Sequence, residues 1–193
     1  MIIVVLGLVA LLSPALTGGH LSRLAQLRLQ GLWLIGLALV LQIVIIDVVP
    51  GANATALRCL HVLSYLLAAA FVVVNRRVPG LGLMAVGAAC NGITIALNGG
   101  TLPASAAALR AAGYATSAGG FVNSGTLAHP RLSWLGDVFA VPSWLPLANV
   151  FSVGDVLILL GVAWGSHRMC ESRLVPARLR DSWTPPARTE PAW

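Results

Sequence analysis

The chain has 193 residues, 58% of them hydrophobic and only 9% charged, with a formal net charge of +6. Its mean hydropathy is +0.86, and its charged fraction falls far below the roughly 25% of an average soluble domain, so composition alone places it in a bilayer. All twelve basic residues are arginine, scattered between apolar stretches rather than gathered on a basic helix, which excludes a nucleic-acid partner. Cys59, Cys90 and Cys170 are isolated, with no CxxC or Cys/His set to hold zinc or an iron-sulfur cluster, so neither a metal nor another cofactor is expected.

A spanning helix needs about 20 apolar residues, and five stretches approach that length: 2–17, 31–49, 57–74, 81–97 and 152–169. The first ends at Gly18-Gly19, a fitting helix stop, and lacks the basic leader of a cleaved signal peptide. His20 to Gln30 alternates arginine with leucine and reads as a connector in the headgroup region, with Arg23 and Arg28 reaching phosphates. The second span ends near Asp47 and Pro50, and Asn75-Arg76-Arg77-Val78-Pro79-Gly80 makes a tight turn before the fourth.

From Asn98 to about Leu147 the chain is rich in Ala, Gly, Ser and Pro and too interrupted by Pro103, Pro130, Pro142 and Pro146 for one helix. It is expected as a structured loop with short helices, one of them over Ala104 to Ala112. Trp134, Phe139 and Trp144 suit a membrane interface. Residues 1–169 therefore read as a single all-α, polytopic helical membrane domain with a long outer loop between helices four and five, and residues 170–193 as a disordered Arg/Pro-rich tail.

Nine arginines, Arg23, Arg28, Arg76, Arg77, Arg168, Arg173, Arg178, Arg180 and Arg188, fall on one side of these spans; Arg58, Arg110 and Arg131 fall on the other. The positive-inside rule then predicts a multi-pass protein of the bacterial cytoplasmic membrane with its N-terminus outside and its C-terminus cytoplasmic. Asn98, Gly99, Gly100, Pro103, Asp137, Asn149, Ser152 and Asp155 would form an outer polar cluster. Asn91 and Asn98 share a face of the fourth helix, and with Thr94 they make an intramembrane polar stripe leading to it.

Each polar group also has a purely structural reading. Ser152 and Asp155 have capping-box spacing, Gly99-Gly100 can close a helix, and Asn91 and Thr94 can bond a neighbouring helix. No GxSxG, HExxH, Walker or GxGxxG pattern occurs, and His20, His61, His129 and His167 sit in no recognisable nucleophile-base arrangement.

Several motifs in fixed order resemble a family of bacterial integral membrane proteins, domain of unknown function 5317. They are Arg28-Leu29-Gln30-Gly31, Asn75 to Gly80, Asn98-Gly99-Gly100 with Pro103, Leu135-Gly136-Asp137 with Pro142, and Val150 to Asp155. Leu102 stands where the family pattern often has methionine, and the tail beyond Glu171 is peculiar to this chain. The resemblance implies a multispanning protein and brings no activity with it. Three functions compete: a non-enzymatic structural or accessory component of the cell envelope, a small-solute transporter or permease subunit, and a membrane-surface enzyme using Asp137 or Asp155. The partners expected are membrane lipids, a second copy, or other membrane proteins, the last suggested by small-residue helix faces such as Gly82, Gly87 and Gly92.

Overall fold

The computed structural model describes residues 2–44, 54–114, 124–180 and Trp183. Asp47 and the end of the second expected span, residues 115–123 of the outer loop, and residues 184–193 of the tail lie outside the described residues. The chain divides into two compact units, residues 1–24 with 79–183 and residues 25–78 with 184–193.

In the larger unit, helix α1 (Ile2–Leu12) gives way to a 3₁₀ turn, Ser13–Thr17, in which Pro14 occupies the first positions and cannot donate an N–H. Gly18 closes that turn in the left-handed region at φ 72°. Helix α4 (Leu81–Leu97) ends on Asn98, where left-handed Gly99 and Gly100 let the Gly100 N–H return to Ile95 O at 2.9 Å. Short strand β1 (Leu102–Pro103) pairs in parallel with β2 (Ser124–Gly125). Between them, α5 (Ala106–Ala111) starts where the Ser105 hydroxyl accepts the Ala108 N–H at 3.0 Å.

Strand β3 (Asp137–Val141) pairs antiparallel with β4 (Asn149–Ser152), Asp137 opposite Ser152 and Phe139 to Val141 opposite Phe151 to Asn149, with a register shift between Asp137 and Phe139. The hairpin runs directly into α6 (Val153–Met169), and a last short helix, α7 (Ala177–Arg180), follows. Helix α6 packs against both α4 and α1. A small core of Ala104, Ala108, Leu109, Ala112 and Val150 joins α5 to the hairpin.

The smaller unit is a pair of packed helices, α2 (Leu32–Ile43) and α3 (Ala54–Val74). Buried Asn75 bonds both backbone groups of Gln30, at 2.8 and 2.9 Å, and so fastens the end of α3 to the entry of α2. Midway, Gln42 donates to the buried Ser64 hydroxyl at 2.8 Å.

This architecture corrects the all-α polytopic fold expected from hydropathy. The region between α4 and α6 contains two two-stranded sheets, and among the described residues no helix is long and apolar enough to cross a membrane. At 1.5 Å per residue the 11 residues of α1 reach only ~16 Å, and the 17 of α4 and of α6 reach ~26 Å, against a hydrocarbon core of ~30 Å. Helix α3 exceeds that length at 21 residues, with Arg58, His61 and Ser64 in its first half. The first expected span runs past Ser13-Pro14, where the helix tightens into a 3₁₀ turn, while the fourth and fifth agree to within a residue with α4 and α6, which are themselves shorter than the hydrocarbon core.

The expected localisation falls with the spans. Without them, the arginine distribution no longer orients the chain as a multi-pass protein with the N-terminus outside and the C-terminus cytoplasmic. Arg23, expected in a headgroup layer, instead donates to Met169 O at 2.9 Å and pairs with Glu171 at 2.8 Å. Residues 170–180, part of the expected disordered tail, are in defined structure, with Cys170, Ser172 and Val175 buried.

Candidate functional site

Helices α4 and α6 meet along a seam from which side chains have been removed. A Cβ on Gly87 would fall 2.4 Å from Gly154 O, and one on Gly165 the same distance from Pro79 O. Gly161 lies equally close to Met84 and Gly80. The N-cap Gly80 with Met84, Gly87 and Asn91 recurs at helical spacing along α4, as Gly154, Gly161 and Gly165 do on α6, so the glycines of each face meet backbone or the Met84 and Asn91 side chains of the other. Gly87, expected on a face for an external partner, instead meets Gly154 and Ile158 inside the fold, whereas Gly82 faces open space.

That close approach allows Asn91 to lie over the first turn of α6. Its amide donates to Asp155 Oδ1 at 3.0 Å, and its Oδ1 accepts the Ser152 hydroxyl proton at 2.8 Å. Ser152 Oγ in turn accepts the Asp155 N–H, and Asp155 Oδ2 accepts the Ser152 N–H, both at 3.0 Å. The capping box of α6 is thus closed into a four-bond cycle by a side chain 61 residues earlier. Each acceptor oxygen in the cycle meets a donor, which fixes the orientation of the Asn91 amide, and the carboxylate sits at the positive end of the α6 dipole.

The other residues singled out from sequence fall elsewhere. Thr94 is fully buried and donates to Cys90 O at 2.8 Å. Asn98 clamps a loop, its amide donating to Thr94 O and Arg131 O and its Oδ1 accepting the Arg131 N–H, all at 2.8 Å. Gly99 and Gly100 close α4, as above. Pro103 is buried in β1, pressed by Gly136, whose absent side chain would strike Pro103 O. Asp137 is buried at the start of β3, where its backbone oxygen accepts the Ser105 N–H at 3.0 Å. Asn149 opens β4 at the far end of the hairpin and accepts the Val150 N–H. The structure therefore joins Asn91, Ser152 and Asp155 in one network, sets Asp137 opposite Ser152 in the hairpin, links Asn98 to the Thr94 carbonyl at the end of α4, and leaves Asn149 at the other end of the hairpin. Among the described residues, no group of three or more His, Cys, Asp or Glu is placed to hold a metal ion.

A second polar network escaped the sequence reading. His167, near the end of α6, has Ser13 Oγ 2.9 Å from Nε2 and Ser172 Oγ 2.8 Å from Nδ1. Thr17 Oγ1 lies 2.6 Å from the same Ser172 hydroxyl. Burial pushes the His167 pKa below its ordinary value. Its partners come from opposite ends of the chain, so no local spacing announced them. The one local signal was the His167 to Ser172 interval across a helix end, where Ser172 N–H bonds His167 O at 3.0 Å and Glu171 takes the left-handed conformation at φ 56°. Cys170, wholly buried beside this turn, has its thiol pushed up by burial, with the charge of Arg23 partly opposing.

Fold and site together define a mixed, mostly helical protein in which a β-hairpin feeds a glycine-seamed helix pair and a long-range asparagine locks the joint. The chain belongs to DUF5317, a family of unknown function that matches residues 26–165. It is similar to an uncharacterized protein of Thermotoga maritima, 31% identical over 160 residues that cover 80% of this chain and 84% of the relative. No solved structure matches. The Asn91, Ser152 and Asp155 network falls inside the matched segment, whereas His167 and the residues after it lie beyond its end.

Proposed function

We propose that this chain is a non-enzymatic structural or accessory component of a cell-envelope assembly, acting by association rather than by chemistry. The observation that carries the reading is the apolar surface. Val4, Leu8, Val9, Leu12 and Leu16 stand exposed along the N-terminal segment of the larger unit, Leu16 at 89%. Helices α2 and α3 of the smaller unit expose Trp33, Leu39, Val40 and Leu66. Val4, Leu8 and Leu12 recur at four-residue spacing and so share one face of α1; an exposed apolar face is a mark of association, and each such side chain moved from water onto an apolar partner contributes about 1.5–3 kcal/mol. The polar groups offer less. Asn91, Thr94 and Asn98 are engaged in bonds within the fold, which weakens the transporter or permease reading. Asp155 has both oxygens committed to the cap, which weakens the surface-enzyme reading.

The test is crosslinking in the producing cell, followed by purification of the full chain and identification of what is joined to it. A reproducible protein partner or a second copy is the expected result, lost when Val4, Leu8 and Leu12 are together changed to Ser. Recovery of uncrosslinked monomer alone, across several extraction conditions, would overturn the proposal.

A further inference from the structure

A cavity of about 390 Å³ opens where the turn after α1 meets the chain after α6, bounded by Gly18, His20, Glu171, Arg173, Ala177 and Arg180. All six belong to the larger unit. The volume falls within the range of ~300–1,000 Å³ typical of small-molecule sites. Gly18, His20, Arg173 and Ala177 are exposed at its rim, so solution has direct access.

The charge within this cavity is unbalanced. Glu171 is paired with Arg23 at 2.8 Å, so its carboxylate is already met from outside the cavity lining. Among the described residues, the guanidinium groups of Arg173 and Arg180 have no carboxylate or hydrogen-bond partner. Two arginines and a histidine, which carries an N–H in either protonation state, therefore line the cavity, and among the described residues the one carboxylate beside them, that of Glu171, is already paired with Arg23. Guanidinium geometry matches the oxygens of a phosphoryl group in bidentate fashion, and two forks meet a dianion better than the single charge of a monocarboxylate.

The lining is held in place rather than free to collapse. The Arg173 side chain lies across Gly18, with Nε 3.0 Å from where a Cβ would stand. The Arg173 N–H bonds Thr17 O at 3.1 Å, and the Thr17 hydroxyl is 2.6 Å from that of Ser172. Glu171 is kept in a left-handed conformation that non-glycine residues seldom adopt. That conformation closes the end of α6, where the Ser172 N–H bonds His167 O at 3.0 Å, and so fixes the chain that carries Arg173.

We propose that the cavity bounded by Gly18, His20, Glu171, Arg173 and Arg180 is a binding site for a phosphate-bearing small anion. Arg173 and Arg180 hold the phosphoryl oxygens, His20 donates a further hydrogen bond, and the volume beyond accommodates a small polar organic group. The proposal does not depend on the association reading above.

The test is calorimetric titration of the full chain with inorganic phosphate and with glycerol 3-phosphate, glycerol serving as the uncharged comparison. Sedimentation with vesicles of phosphatidylcholine, with and without phosphatidic acid, separates a lipid headgroup from a soluble phosphate ester. Saturable, salt-sensitive binding of at least one phosphate-bearing probe is expected, with none of glycerol. Arg173→Gln and Arg180→Gln should each weaken it at least about tenfold, since a charged hydrogen bond is lost, while leaving the thermal midpoint unchanged because neither guanidinium is engaged within the described fold. Arg178→Gln, in the same helix but outside the lining, should leave affinity unchanged. Absence of binding by every phosphate probe would overturn the assignment. Equal weakening by Arg178→Gln would also overturn it, by showing that net charge alone attracts the anion.

Discussion

Replacing Gly87 by alanine tests the helix seam directly. The new methyl would stand 2.4 Å from Gly154 O and 2.9 Å from both the backbone N and Cγ1 of Ile158. Two of these three atoms are backbone, which cannot rotate aside, so α4 and α6 must part by about 1 Å in an interior packed near crystal density. Overpacking of this kind costs about 1–3 kcal/mol or more, offset by the ~1 kcal/mol that alanine gains over glycine within a helix. Parting the helices also lengthens the Asn91 bonds to Ser152 and Asp155, each contributing about 1 kcal/mol. The net expectation is a loss of about 1–3 kcal/mol, or a fall in Tm of some ~2–4 °C per kcal/mol at this chain length. Gly82→Ala, one turn and a half earlier where a Cβ meets open space, should instead stabilise by up to ~1 kcal/mol. Circular dichroism melts of the two variants beside the parent protein decide the matter. If Gly87→Ala melts at or above the parent temperature, the seam as described is wrong.

Asp155→Asn keeps the shape of the cap but points an NH₂ at either the Ser152 N–H or the Asn91 amide, and it removes the charge from the helix end. A loss of about 1–2 kcal/mol is expected, read as a lower urea midpoint at unchanged slope, and an unaltered midpoint would contradict the closed cycle. His167 has a depressed pKa in the folded chain, so the unfolded chain binds more protons. Its contribution is present above the ordinary histidine value and is lost as pH falls through the depressed one. Melting temperature should therefore drop on acidification below about pH 6.5, and His167→Gln should flatten that limb of the curve. Cys59 is exposed and Cys170 wholly buried with a raised pKa. Iodoacetamide under native conditions should label Cys59 rapidly and Cys170 only after denaturation, as peptide mass spectrometry would show.

Elements whose signals are contained within a few residues were legible. Ser152 with Asp155, and Asn98 with Gly99-Gly100, announced a helix start and a helix stop because their bonds close within three to five positions. The stretch Ala104 to Ala112 yielded a helix with Ala108, Leu109 and Ala112 on its buried side. The hairpin was missed because β4 is four residues long and its period-two pattern, Val150 and Ser152 in and Asn149 and Phe151 half out, is too brief to separate from loop. Its partner strand is defined only by pairing, with Phe139 stacked on Phe151 at 5.3 Å. The five expected spans failed for a different reason. Hydropathy measures how apolar a run is but not where Ser13-Pro14 tightens it, nor whether a helix that is apolar throughout, such as α4, is long enough to cross a bilayer.

From sequence alone came the family, the helical character of most apolar runs, and the identity of the caps, since each depends on order along the chain or on bonds between near neighbours. Tertiary structure decided what those pieces are for. Asn91 reaches Asp155 across 64 residues, Arg23 reaches Met169 across 146, and His167 reaches Ser13 across 154. A glycine that reads in sequence as a weak point in a helix becomes, at Gly87, the place where another backbone passes. Such meanings depend on what packs against a residue, and a bond between distant positions has no periodicity to betray it.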